Sequence, residues 1–152
     1  MRLLFAVGFL RGYSRKRAIE DALRAAKGRF GMRVVHYSIQ GNHLHLIVET
    51  DEPSALSRAV AGLAIRLARS LNRLAGRKGK VFADRFHAHV LIALRQVKNA
   101  IRYVVENFRH HLREDVAPRG VDPCSSAGWR SSTPGEECPV SPPRTWLARQ
   151  AE

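Results

Sequence analysis

Cysteine is scarce in this chain. Only Cys124 and Cys138 occur in 152 residues, with no Cys-x-x-Cys pair and no histidines at finger spacing beside them. Their rarity gives no sign of a disulfide framework and argues against a structural zinc site. Acids are also few, 13 against 26 lysines and arginines, for a net charge of +13. An excess of that size favours a polyanionic partner, most often nucleic acid. Long hydrophobic runs are missing as well. The opening MRLLFAVGFLRG places an arginine before an apolar stretch, but the stretch is too short for a signal peptide and no small-residue cleavage site follows, so it reads as a first strand. No segment approaches the roughly 20 apolar residues of a membrane span, so a soluble cytoplasmic protein with no membrane partner is expected.

A 45% hydrophobic fraction is enough for one core. Residues 118–152 hold four arginines and four acids; taking these from the totals of 26 and 13 leaves 22 and 9 in residues 1–117, the whole +13. The expected organisation is a catalytic domain over 1–117 and a Pro/Ser-rich tail over 118–152, packed on it or flexible. Trp129 and Trp146 would pin that tail.

Hydrophobic period gives the elements. Arg2–Phe9 reads as a strand, and Ser14 offers an N-cap to a helix with Ile19, Ala22 and Leu23 on its apolar face, ended by Gly28. Met32–Ile39 and His43–Thr50, joined by Gln40-Gly41-Asn42, read as an antiparallel hairpin. Pro53 and Ser54 open the longest helix, to about Leu74. Along one flank of that helix Arg66, Arg69, Arg73 and Arg77 recur at its period, and with Lys78 and Lys80 of the following loop they can track a phosphate backbone. Phe86–Leu94 reads as a fourth strand and Arg95–Leu112 as a third helix. This order predicts an α+β, ferredoxin-like split βαβ sandwich: a mainly antiparallel sheet with helices on one face, plus an extra C-terminal helix carrying a tyrosine.

The stretch GNHLHLIVET carries two histidines in an apolar strand pattern. His43 and His45 emerge on one side of the sheet, roughly 6–7 Å apart, which suits two ligands on one metal ion. On the third helix Val97, Ile101, Val104, Val105 and Phe108 define the core arc, and Tyr103 falls off it. Asn107, one turn later, projects beside Tyr103. Two imidazoles and an amide supply three ligands for a divalent ion, with positions open for a phosphate oxygen, and an adjacent phenol is a nucleophile for a phosphodiester. His87 and His89 repeat the His-x-His spacing without the hairpin. Arg85 is a candidate phosphate contact with Asp84 as its partner, His36 lies on the strand paired with the two histidines, and His110-His111 complement a helix C-terminus.

The run Gln40–Glu49 resembles the HUH motif (His, hydrophobic, His) of the single-tyrosine transposases, including the REP-associated tyrosine transposases. Gly79–Phe86 and Ile101–Asn107 are similar to that family's second half, where a helix carries the nucleophile in a Tyr-x-x-x-Asn pattern, and Pro143–Leu147 resembles tails found in a bacterial branch. The resemblance covers about residues 30–112. It implies Tyr103 as nucleophile and His43, His45 and Asn107 as ligands of magnesium or manganese. The expected activity is that of a metal-dependent DNA transesterase that nicks and rejoins single-stranded or hairpin DNA through a 5′-phosphotyrosine, as a monomer or homodimer. Phe108 stands where the family commonly has proline, so the helix is expected to continue. A weakly catalytic, domesticated nucleic-acid-binding module of the same fold is the alternative.

Overall fold

Met32–Ile39 (β1) and Leu44–Thr50 (β2) pair antiparallel, with Ser38 opposite His45 and a bulge between Val34 and His36, in a computed structural model that describes residues 1–106, 108, 120–131 and 135–151. The Gln40 N–H donates to the His43 carbonyl at 2.9 Å and closes the turn. Among the described residues these two strands are the sheet, and the fold class is α+β.

Shorter pairings extend it. Arg2 bridges His43 and Leu3 bridges Phe82, both antiparallel, so residues 1–4 lie between the start of β2 and residues 81–83. The expected strand over Arg2–Phe9 stops there. Phe5–Val7 closes into a 3-10 turn and Gly8 leaves it at φ 84°, a left-handed conformation that glycine adopts without a steric penalty. Val7 and Leu10, three apart, turn into the core, while Phe5 and Phe9 face solvent. The fourth strand is also displaced: pairing occurs at residues 81–83, and Phe86–Leu94 forms none, with Val90 and Ile92 exposed.

Among the described residues four α-helices accompany the sheet. Tyr13–Arg24 (α1) begins at Gly12, whose carbonyl accepts the Lys16 N–H at 2.9 Å, so Ser14 lies inside the helix and is not its cap. Pro53–Leu74 (α2) has Pro53 in its first turn, as its sequence requires, and buries Ala59, Val60, Leu63, Leu67 and Leu71. Leu94–Glu106 (α3) and Trp146–Ala151 (α4) complete the set. The Tyr37 hydroxyl donates to Glu20 of α1 at 2.9 Å, whereas His45, beside Tyr37's cross-strand partner Leu46, meets α3. Neighbouring strand residues face opposite sides. The helices therefore do not all share one face: α1 and α3 sit on opposite faces of the hairpin.

The described part of the tail runs along the outer edge of β1. Ile39 N–H donates to Cys124 O and Ser141 N–H to Val34 O, each at 2.8 Å, which satisfies edge groups otherwise open to another strand. Asp122, fully buried, takes both guanidinium nitrogens of Arg11 at 2.7 and 3.0 Å. Trp129 donates from its indole to Glu20 at 3.2 Å and lies under the Arg24 guanidinium, 4.9 Å from its ring centre, while Trp146 is exposed.

Candidate nucleic-acid active site

His43 and His45 stand where the hairpin turn passes into β2, and their rings meet edge to face with centroids 4.8 Å apart. The backbone holds this corner firmly. Leu3 N–H donates to Asn42 O at 2.8 Å and Leu44 N–H to Met1 O at 2.9 Å, so the segment carrying His43 is paired to residues 1–3 as well as to its own turn. His43 Nδ1–H donates to Asn42 Oδ1 at 2.9 Å, the tautomer that puts the ring's lone pair on Nε2. Opposite His45, Ser38 accepts a 2.6 Å bond from the Gln40 amide.

Tyr103 reaches this pair from α3. Its ring is edge-on to His45 with centroids 5.4 Å apart, and it is 52% exposed, so a phenol is offered to solvent beside two imidazoles. The helix is oriented by Val97 and Val104, buried on its core face, and Gln96 Oε1 accepts the Ile92 and Ala93 N–H groups at its start. Phe108 is buried, consistent with the core arc. The chain's other two tyrosines lie elsewhere. Tyr13 is exposed on α1, and Tyr37 is buried, its hydroxyl pushed far above the ordinary phenol range by burial first and by the Glu20 carboxylate second.

Asn107 lies outside the described residues, as do His110 and His111. Among the described residues no group of three or more His, Cys, Asp or Glu side chains is placed to hold a metal ion. His36 is buried, with Nδ1 3.1 Å from Ser126 Oγ. His87 and His89 are exposed on a segment without strand pairing.

The basic residues divide by their surroundings. Acids from the tail lie on α1 and its end: Glu136 on Arg17 at 2.6 Å and Glu137 on Lys27 at 2.8 Å. Arg69, Arg73, Lys78 and Arg85 are exposed and Arg66 is half-buried, and none of them pairs with an acid among the described residues. Asp84 does not pair with Arg85, as the sequence suggested, but with Arg2 at 2.8 Å. Arg77 and Lys80 shape the loop after α2, donating to the Lys80 and Ala83 carbonyls at 3.0 Å each.

Glu49 was not singled out from the sequence. It is buried at the penultimate position of β2 and receives the Arg144 N–H at 2.8 Å, the Thr145 N–H at 2.9 Å and the Thr145 hydroxyl at 2.6 Å. Burial alone would raise its pKa, but these bonds and Arg33 outweigh that and hold the carboxyl below its usual range. A lone acid at the period-two position of His43 and His45 was the available signal.

No helix among the described residues is long and apolar enough to cross a membrane. No curated protein and no solved structure shows a significant match to the chain. The family model described as "Transposase IS200 like" matches residues 9–107, the span from before α1 through the hairpin histidines to the tyrosine helix, and the chain belongs to that transposase family.

Proposed function

We propose that this transposase-family protein is a single-strand DNA transesterase of the HUH type, acting at hairpin-forming repeat ends, with Tyr103 as its nucleophile. The contact between Tyr103 and His45 carries the reading, since it joins an exposed phenol from one element to half-buried imidazoles from another in a basic protein. His43 and His45 fit as two nitrogen ligands of a magnesium or manganese ion, with Asn107 as the third group. Such an ion, when bound, would polarise a phosphate oxygen.

In the proposed reaction the Tyr103 oxygen attacks phosphorus in line. A P–O bond forms to the phenol, the bond to the 3′ oxygen breaks, and the phenol's proton balances the released 3′-hydroxyl. The 5′-phosphotyrosine keeps the phosphodiester's energy, so attack by another 3′-hydroxyl rejoins DNA and restores the phenol. Arg66, Arg69, Arg73, Lys78 and Arg85, with Arg77 and Lys80, would hold the backbone. A ferredoxin-like arrangement is part of the same proposal, supported by the lateral order of residues 81–83, residues 1–4, β2 and β1.

A denaturing gel tests the reading, using labelled hairpin oligonucleotides with single-stranded flanks and manganese or EDTA. A manganese-dependent covalent band is expected. Tight, salt-sensitive binding without any covalent band would replace it with the domesticated binding module.

A further inference from the structure

Three contacts close a triangle around the proposed nucleophile. β2 meets α3 through His45 and Tyr103, α3 packs against α4, and β2 holds α4 through Glu49. A helix of six residues does not sustain itself in water. Here its start is fixed by Thr145, whose hydroxyl accepts the Ala148 N–H at 3.3 Å while donating to Glu49. Both oxygens of the Glu49 carboxylate are used, Oε1 by Thr145 and Oε2 by the Arg144 amide and, at 3.4 Å, by Arg33. Ala148 is buried, and Ala151 faces Ile101, Arg102 and Val105 of α3 across a cleft of about 370 Å³.

From this geometry we infer that Glu49 is a positioning residue for Tyr103. It anchors α4 to the strand that carries the histidines, and α4 braces the tyrosine helix so that the phenol keeps its place beside His45. The inference rests on the proposed role of Tyr103, and it gives residues 144–151, beyond the stretch matched by the family, a part in the reaction. Three half-buried hydrogen bonds on the buried Glu49 carboxylate tie the strand to the helix start. Misplacing a nucleophile by about 1 Å can slow a reaction on the order of a hundredfold.

The test uses the full chain with Thr145→Val, which removes the hydroxyl but keeps the shape, and Thr145→Ser, which restores it. Rates of covalent adduct formation and dissociation constants are measured with one labelled hairpin oligonucleotide in manganese, and hydrogen exchange is followed in peptides spanning residues 94–106. The brace predicts that Thr145→Val slows adduct formation roughly tenfold or more, leaves DNA affinity within about twofold, and speeds exchange in α3, with Thr145→Ser restoring both. An unchanged rate overturns the inference whether or not exchange changes. If the unsubstituted protein forms no adduct, the functional reading fails separately, and exchange in α3 alone decides whether the brace exists.

Discussion

Tyr103 on α3 and His45 on β2 stand edge to face, ring centres 5.4 Å apart, although 57 positions lie between them in the chain. Neither element has a local reason to bring them together. Packing of Val97 and Val104 sets the rotation of α3, and the strand's alternation places His45 on the side that α3 covers.

The proposed DNA-contacting face is testable by charge. Each phosphate neutralised contributes about 0.7 to 0.9 to the slope of log affinity against log salt. Arg69→Ala and Arg73→Ala are each expected to weaken binding of a hairpin oligonucleotide uniformly across sequences and to reduce that slope by about one. Arg17→Ala, whose charge is engaged by Glu136, is expected to leave the slope unchanged. Fluorescence anisotropy at a series of salt concentrations checks this.

The ion pair between Arg11 and Asp122 ties the tail to the loop before α1, with side chains 7% and 0% exposed. Removing one partner leaves the other charge buried, which costs about 3–5 kcal/mol. Asp122→Ala is expected to lower the urea midpoint accordingly, and Arg11→Met with Asp122→Leu is expected to recover much of the loss. Equilibrium urea unfolding measures both.

Glu49 links the tail to pH. Its folded pKa lies below the unfolded value near 4.5, so its contribution is fully present above that value and is lost as pH falls through the folded pKa. Stability is expected to decline below about pH 4.5, and in Glu49→Gln this part of the decline should be absent, with a lower plateau at neutral pH. Thermal unfolding followed from pH 7 to pH 3 reads the difference.

The hairpin and α2 were legible because their signals are local: two apolar runs around Gly41-Asn42, and a leucine stripe opened by Pro53. That His43, His45 and Tyr103 fall on the sides where their rings meet is legible for the same reason, since strand and helix periods fix which side each side chain takes. The two outer strands are not legible in the sequence, because apolar content does not distinguish a strand from a 3-10 turn whose Val7 and Leu10 both turn inward. Pairing of residues 81–83 with 1–4 depends on backbone groups and left no side-chain pattern to read. The polar partners that dock the tail carry no sequence signal, for another reason. Arg11 and Asp122 are 111 positions apart, and Glu49 and Thr145 96, so neither pair forms a motif.

Tyr103→Phe keeps the ring that meets His45 and removes only the oxygen. The variant is expected to fold with unchanged stability, to bind hairpin DNA with unchanged affinity, and to form no covalent adduct. His43→Ala and His45→Ala are expected to reduce the manganese-dependent adduct by at least about a hundredfold, read by gel densitometry.

The most direct measurement identifies the bond itself. After reaction with a hairpin oligonucleotide in manganese, nuclease trimming and tryptic digestion, mass spectrometry locates the nucleotide on the protein. A 5′-phosphate ester on Tyr103, with a free 3′-hydroxyl on the released strand, is the predicted result. Attachment at another residue, or cleavage that persists in Tyr103→Phe without a covalent species, would contradict the account.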